Sequence, residues 1–233
     1  MAKCLIESSA LQNPVLTIAE TLGIIQMNEK IEIKEKSSLR KRADEIKEHR
    51  CKNLIAVLEE PNMLKNIGTV VRNINALGVE KLYIVDSKNR LPKDWQEMRE
   101  RKSLLKPSVS AIKWSFVKTF ESTEECIEHL NKNGFISVVT SPHIKEKTNV
   151  ILHEGNYTQK KLAVWFGNES QGISELAVEN SKACIQIEMF GIIESLNLGT
   201  SSGIVLYEIT KQRREYQSKN KRGRKRDPKI KAE

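Results

Sequence analysis

The sequence of 233 residues has no run of about 18 consecutive apolar residues, the length that a membrane-spanning helix needs. The four cysteines lie far apart, at Cys4, Cys51, Cys126 and Cys184. The absence of a Cys-x-x-Cys pair argues against a zinc site or a disulfide framework and favours a reducing compartment. The first 25 residues contain one cation and lack the pattern of a secretory signal. We therefore expect a cytoplasmic protein without a membrane anchor.

Two common nucleotide-binding motifs are also missing. No Gly-x-x-x-x-Gly-Lys-Ser/Thr occurs, which argues against a P-loop NTPase, and no Gly-x-Gly-x-x-Gly follows the first predicted strand, which argues against a Rossmann dinucleotide site. The four histidines form no cluster with the spacing of metal ligands. We therefore expect any chemistry to depend on Arg, Glu, Ser and Asn side chains, and we expect no metal.

Positive charge is concentrated at the C-terminus. The formal net charge is +9, and residues 211–233 hold eleven cations against three anions. Such a run is typical of an arm that binds a polyanion through its phosphates, because binding releases condensed counterions. A solvated tail and a nuclear-import signal are alternative interpretations. A second run, residues 34–52, mixes both signs and predicts an exposed helix.

Short apolar runs alternate with helical patterns from residue 53 onwards. Runs with the length and composition of buried strands are found at 54–58, 82–85, 135–139, 162–166 and 184–187. Helices are predicted at 15–25, 37–50, 67–77, 94–103, 122–133 and 198–216. Gly78 follows the third of these helices, where a left-handed cap is expected. The alternation predicts an α/β fold with a mostly parallel sheet flanked by helices, and the polar stretch 141–161 is expected to be a long loop.

The first segment that can carry chemistry is residues 66–73, Asn-Ile-Gly-Thr-Val-Val-Arg-Asn. Asn66 is placed to cap the helix, and Gly68 and Arg72 share a face beside the apolar stripe. A capped amphipathic helix with a surface arginine explains this segment by itself. In open α/β sheets, however, ligands bind beyond the carboxyl ends of the strands, where Arg72 is able to bind a phosphate or a sugar hydroxyl.

The second segment, residues 165–173, reads Trp-Phe-Gly-Asn-Glu-Ser-Gln-Gly-Ile. Gly167 allows close approach of the backbone and Gly172 allows a tight turn. A plain connection between a strand and a loop explains these glycines. Glu169, a carboxylate just after a buried strand, is nevertheless a candidate site residue.

The third segment, residues 187–203, connects the last predicted strand to the last helix and contains Glu-Ser-Leu-Asn. Ser195 or Asn197 is expected to cap that helix. The small residues at 199–203 weaken an early helical turn, unless the turn packs closely against another part of the chain.

In this order and spacing, the three segments resemble the motifs of the SpoU/TrmH family of the SPOUT class of RNA methyltransferases, over roughly residues 53–212. The patterns are Asn-x-Gly-x-x-x-Arg, then Phe-Gly-x-Glu-x-x-Gly, then Ile-x-Met-x-Gly-x-x-x-Ser-Leu-Asn. Within the family, the chain is most similar to the tRNA guanosine-18 2′-O-methyltransferases. It departs from the usual third motif at Glu188, where the family has proline, and at Gly199 and Thr200.

The resemblance implies transfer of a methyl group from S-adenosylmethionine to a ribose 2′-hydroxyl of tRNA, at guanosine 18 of the D-loop. It also implies a homodimer and a deep trefoil knot over roughly residues 162–212. The implied organisation is an RNA-contacting helical extension at 1–50, a SPOUT domain at 51–216, and a basic tail at 217–233 that is disordered without RNA. The alternatives are ribosomal RNA, another tRNA position, or an RNA-binding protein of this fold without activity.

The family motifs also assign residues to roles. Arg72 matches the catalytic arginine that promotes deprotonation of the ribose hydroxyl, and Asn66, Glu169, Ser195 and Asn197 match the other active-site positions. The implied cofactor-binding residues are Thr140, Gly167, Ile187, Met189 and Leu196. The expected RNA-binding residues are Arg40, Lys41, Arg42, Lys211, Arg213, Arg214, Lys221, Arg222, Arg224, Lys225 and Arg226.

Overall fold

The computed structural model describes residues 37–92, 94–143 and 148–224. The chain divides between Glu45 and Ile46. The helix α1 spans Ser38–Ile46, and its predicted position at 37–50 is confirmed. The helix predicted at 15–25 lies outside the described residues.

Seven parallel strands form one sheet in the order β3-β2-β1-β6-β4-β7-β5. Their bounds are β1 Cys51–Glu59, β2 Val79–Val85, β3 Phe116–Phe120, β4 Ile136–Thr140, β5 Asn149–Ile151, β6 Leu162–Phe166 and β7 Cys184–Gln186. The predicted parallel α/β fold is therefore confirmed. The sequence did not predict β3, an edge strand with mostly exposed or half-buried side chains, or β5, which has only three residues inside the expected loop.

Helices cover both faces of the sheet, and their bounds are α2 Leu64–Leu77, α3 Trp95–Glu100, α4 Lys102–Ser108, α5 Thr123–Lys132, α6 Glu175–Glu179 and α7 Leu198–Arg224. Alternate residues of β1 point to opposite faces. Leu54 and Leu58 pack in one core with α2, α4 and α7, whereas Ile55 and Val57 pack in the other with α5 and α6. This burial on both faces explains why the strand is apolar throughout.

The ends of the helices follow their sequence signals in part. Gly78 caps α2 with a left-handed φ of 78°, as predicted. Asn66 does not cap α2 as predicted, because the helix begins two residues earlier and Met63 holds the N-cap position. The last helix continues past residue 216 to Arg224, so the first part of the segment 217–233 is helical. In the described part of the chain, no helix is both long and apolar enough to cross a membrane.

Candidate active site

The carboxyl ends of four neighbouring strands form one edge of the sheet. Leu58 of β1 pairs with Phe166 of β6, Phe166 pairs with Thr140 of β4, and Thr140 pairs with Ile185 of β7. The first motif segment lies in α2, which follows β1, the second begins at the end of β6, and the third follows β7. Parallel strands end at the same edge, so the topology brings these distant segments together.

The carboxylate of Glu169 joins the first two motifs. Its Oε1 accepts a hydrogen bond of 2.7 Å from Nδ2 of Asn66 and one of 3.3 Å from the backbone N–H of Met63. Its Oε2 accepts a bond of 2.8 Å from the backbone N–H of Asn62. Partial burial by itself favours a higher pKa for Glu169, whereas the hydrogen bonds from Asn62 and Asn66 favour a lower one. The hydrogen bonds outweigh the burial, so the pKa of Glu169 lies below its ordinary value. The site therefore holds this carboxylate in its charged form.

Asn197 connects the third motif to the same group. Its Nδ2 donates to Oδ1 of Asn66 at 3.2 Å, and its Oδ1 accepts the backbone N–H of Gly199 at 2.8 Å. The second bond caps α7, as predicted for Ser195 or Asn197. One chain of hydrogen bonds therefore runs from Glu169 through Asn66 to Asn197 and the start of α7.

The small residues at the start of α7 allow it to pack closely on α2. Nδ2 of Asn73 donates to the carbonyl oxygen of Gly199 at 2.7 Å and to Oγ of Ser202 at 3.0 Å. A Cβ atom at Gly199 would lie 2.6 Å from Cγ2 of Thr69. The predicted close packing of this turn is confirmed.

Residues 199–203 also spell Gly-x-Ser-x-Gly, the pattern of the nucleophile elbow in α/β-hydrolases. Such an elbow places the serine on a sharp turn between a strand and a helix. Here the stretch is regular helix within α7, and Oγ of Ser201 donates to the carbonyl oxygen of Leu198 at 3.2 Å. The structure therefore provides no hydrolase nucleophile at this position.

Arg72 and Ser195 lie outside the chain of hydrogen bonds. Arg72 is exposed on α2, and Ser195 is exposed in the connection that precedes α7. Within the described ranges, neither side chain has a recorded hydrogen bond or ion pair. Both remain available for a ligand.

The expected cofactor residues follow three adjacent strands. Thr140 ends β4 and donates from Oγ1 to the carbonyl oxygen of Trp165 at 2.9 Å. Gly167 follows β6, and a Cβ atom there would lie 2.3 Å from the backbone of Gly172, so only glycine fits this folded-back loop. Reciprocal backbone bonds of 2.8 and 2.9 Å between Asn168 and Gly172 close the loop.

Partly exposed apolar side chains lie on the β7 side of this edge. Ile187 and Met189 are half-buried, and Leu196 is exposed. Backbone groups beside partly exposed apolar side chains fit an amphipathic cofactor such as S-adenosylmethionine, which needs both hydrogen bonds and apolar contact. In the described part of the chain, no group of three or more His, Cys, Asp or Glu side chains is placed to hold a metal ion.

The sequence did not predict a polar cluster of Glu60, Asn62 and Arg90, which contacts Glu169 through the backbone N–H of Asn62. The guanidinium of Arg90 lies 2.8 Å from Oε2 of Glu60, donates to the Glu60 carbonyl at 3.2 Å and also donates to Oδ1 of Asn62. Nδ2 of Asn62 in turn donates to Oδ1 of Asn168 at 3.1 Å. Glu60 has a left-handed φ of 50°, which is unusual for a residue other than glycine. Neither the backbone angle of Glu60 nor its contact with Arg90 can be predicted from the sequence pattern, because both depend on the tertiary fold.

The predicted RNA-binding residues fall into different environments. Arg40, Lys41 and Arg42 are exposed on α1, and Lys211 is exposed with an ion pair of 3.7 Å to Glu208. Arg214 is exposed and donates to the carbonyl oxygen of Leu77 at 3.4 Å. The side chains of Lys221, Arg222 and Arg224, and all of Lys225 and Arg226, lie outside what the structure describes.

Arg213 is the exception among these cations, because it is only 6% exposed. Its guanidinium donates to the carbonyl oxygens of Tyr157 at 3.1 Å, Gln159 at 2.6 Å and Lys160 at 3.4 Å. This burial argues against the predicted contact between Arg213 and RNA. This side chain attaches α7 to the loop before β6, and sequence alone could not separate it from its exposed neighbours.

Comparison with known proteins gives a consistent result. The model of the SpoU rRNA Methylase family matches residues 53–207. The tRNA (guanosine(18)-2′-O)-methyltransferase of Aquifex aeolicus is 30% identical over 175 residues, which cover 75% of this chain and 77% of that protein. The 23S rRNA (adenosine(1067)-2′-O)-methyltransferase of Streptomyces azureus is 30% identical over 154 residues, which cover 66% of this chain and 53% of that protein.

The fold agrees with these relatives. The crystal structure of the A. aeolicus TrmH/SpoU tRNA modifying enzyme superposes with a TM-score of 0.63 at 29% identity, covering 77% of this chain and 86% of that one. The family model covers more than half of the sequence and includes the three motifs that meet at Glu169, Asn66 and Asn197. The chain belongs to the SpoU rRNA methylase family.

Proposed function

We propose that this protein transfers a methyl group from S-adenosylmethionine to a ribose 2′-hydroxyl of tRNA, at guanosine 18 of the D-loop. The observation that carries the proposal is the hydrogen-bond chain from Glu169 through Asn66 to Asn197, which joins all three motifs. Arg72 is exposed on the same helix as Asn66. The tRNA enzyme of A. aeolicus matches three quarters of the chain and supports tRNA as the substrate. A tRNA substrate is consistent with a cytoplasmic location.

The residues divide the chemical task between them. When bound, S-adenosylmethionine supplies a methyl group that its sulfonium already activates. The protein then has to align the ribose and stabilise the negative charge that develops on the 2′-oxygen as its proton leaves to a neighbouring acceptor. The methyl–sulfur bond breaks as the methyl–oxygen bond forms, and the remainder of the methyl donor would leave as a neutral thioether. Arg72 is exposed and retains its full set of donors, and its planar guanidinium suits the geometry of a phosphate, so we assign it the stabilisation of this charge and the binding of a substrate phosphate.

Glu169, Asn66 and Asn197 act by holding the geometry. The charged carboxylate fixes the Asn66 amide, which fixes the Asn197 amide and with it the start of α7. Ser195 is exposed two residues before Asn197, and we assign it to binding the ribose or the methyl donor. Thr140, Gly167, Ile187, Met189 and Leu196 are the proposed cofactor-binding residues. The knot over roughly residues 162–212 stays a prediction of the family resemblance.

Ribosomal RNA is the second candidate substrate, since the S. azureus relative acts on 23S rRNA and matches two thirds of the chain. The decisive experiment offers labelled S-adenosylmethionine with unmodified total tRNA, with unmodified ribosomal RNA, and with a tRNA transcript that carries a 2′-deoxyguanosine at position 18. We expect label in tRNA, mapped to guanosine 18, and none in the deoxy transcript. Label only in ribosomal RNA or at another tRNA position would overturn the substrate. Cofactor binding without any transfer would indicate a binding protein.

The remaining residues of the predicted basic set are proposed to hold the RNA backbone. These are Arg40, Lys41 and Arg42 on α1, and Lys211, Arg214, Lys221, Arg222, Arg224, Lys225 and Arg226 in and after α7. Phosphate contacts of this kind position a substrate without reading its bases. Deleting residues 217–233 is expected to raise the Michaelis constant for RNA and to flatten its salt dependence. An unchanged salt dependence would remove the tail from the RNA-binding surface.

We also propose a homodimer. Apolar side chains between β7 and α7, and on the exposed side of α7, face solvent in the single chain, including Phe190 at 91% exposure and Ile192 at 98%, together with Ile193 and Tyr207. An exposed apolar cluster of this kind is typical of an interface. Sedimentation equilibrium should give a dimer, and Phe190→Asp should shift it to monomer. Val109→Asp, at an exposed position at the end of α4, is the matched control.

A further inference from the structure

One side of α2 carries a stripe of positive charge that extends beyond Arg72. Lys65, Gly68 and Arg72 are spaced at i, i+3 and i+7, so they lie along one side of the helix. Lys65 and Arg72 are exposed, and seven residues of helix separate them by about 10 Å. Among the residues that the structure describes, none has a recorded hydrogen bond or ion pair with either charged group.

The helix α4 packs against the middle of this stripe. A Cβ atom at Gly68 would lie 2.5 Å from Cγ of Pro107 and 3.2 Å from the carbonyl oxygen of Leu104, so glycine is required for the contact. The contact places Lys106, which immediately precedes Pro107 and is exposed, beside the stripe. Its ammonium likewise has no recorded partner in the described ranges.

The local charge is strongly biased. Residues 99–113 hold five cations and a single anion, Glu100. Arg101 forms an ion pair with Glu97, with 2.7 Å between Nη2 and Oε1. Lys106 has no such ion pair among the described residues. Uncompensated lysines beside an uncompensated arginine repel one another, and a polyanion relieves that repulsion.

We propose that Lys65, Arg72 and Lys106 form one surface that binds the phosphates flanking the target nucleotide. The inference rests on the proposed function, since it takes RNA as the substrate. Arg72 acts at the reacting ribose, while Lys65 and Lys106 bind neighbouring phosphates as point charges. Lys65 directly precedes Asn66 on α2, the helix that also carries Arg72. This surface therefore aligns the RNA strand with the chemistry, independently of the basic tail.

Equilibrium binding of an unmodified tRNA transcript, measured by filter binding at several salt concentrations without cofactor, tests this surface. The variants are Lys65→Ala, Lys106→Ala and their combination, in the full chain. Lys182→Ala is the matched control, because this exposed lysine precedes β7 and lies at the opposite edge of the sheet. Unchanged binding of S-adenosylmethionine by each variant verifies that it is folded.

We expect each single change to reduce the slope of log affinity against log salt by about 1, and the combination to reduce it by about 2. The Michaelis constant for RNA should rise while kcat at saturating RNA stays nearly constant. Slopes equal to that of Lys182→Ala would overturn the surface. A chain that binds tRNA with the expected slopes but transfers no methyl group would overturn the proposed function instead, and a chain that binds no RNA would overturn both.

Discussion

The side-chain amide of Asn66 donates a hydrogen bond of 2.7 Å to the carboxylate of Glu169, 103 positions further along the chain. This bond exists only because β1 and β6 are parallel neighbours that end at the same edge of the sheet. Asn197 extends it to the last helix. The site is therefore built from side chains that hold one another in place, while Arg72, exposed on the helix that carries Asn66, keeps its donors available.

Arg72→Ala is expected to reduce methyl transfer by about 100-fold to 1,000-fold, because the charge on the 2′-oxygen loses its main stabilising group. Arg72→Lys should recover only part of the rate, since a lysine keeps the charge but lacks the planar set of donors. Binding of S-adenosylmethionine, measured by calorimetry, should stay the same in both variants. Near-normal transfer by Arg72→Ala would contradict the assignment.

Asn197 has two functions that different substitutions separate. Asn197→Ala removes the cap of α7 and the donor to Asn66, and should lower the free energy of unfolding by about 1 kcal/mol as well as the transfer rate. Asn197→Asp keeps an oxygen for the N–H of Gly199 but cannot donate to Asn66. We expect it to be nearly as stable as the unchanged chain in urea and yet slow. An Asp variant with normal activity would show that only the cap matters.

The sequence predicted the parts of this site that depend on local signals. Strands were recognisable as short apolar runs, Gly78 as a cap, and the motif residues Asn66, Glu169 and Asn197 by their spacing and family resemblance. It could not predict contacts made by the tertiary fold. The role of Arg90 depends on a left-handed residue, Glu60, and on a loop from another strand.

Titration of Glu169 should make stability depend on pH in the acid range. Its pKa lies below the ordinary value of 4.5, so the folded state gains stability above that pH and loses it as the pH falls through the lowered pKa. Glu169→Gln cannot titrate at this position. The unchanged chain should therefore be more stable than the Gln variant at pH 7, and the difference should shrink below about pH 4.5. Urea unfolding from pH 7 to pH 3 measures this difference, and a constant difference would refute the prediction.

Arg90 is a positioning residue for Glu169 in this interpretation. Arg90→Ala frees the side chain of Asn62, whose backbone N–H holds the carboxylate, and should lower kcat on the order of tenfold or more, since small displacements reduce rate steeply. The Michaelis constant for RNA should change little. Arg101→Ala is the control, because that arginine makes an exposed ion pair with Glu97 on the neighbouring helix. Equal kcat values for the two variants would limit Arg90 to a structural role.

Arg213 and Arg214 are adjacent in the sequence but should behave differently. Arg213→Ala removes a buried guanidinium that donates to the carbonyls of Tyr157, Gln159 and Lys160, which should lower the free energy of unfolding by about 3 kcal/mol. Arg214→Ala changes an exposed side chain and should lower it by about 0.5 kcal/mol. Urea unfolding measures both values. Filter binding with tRNA, at a temperature where both variants are folded, should show weaker binding for Arg214→Ala only. The reverse pattern would place Arg213, rather than Arg214, on the RNA-binding surface.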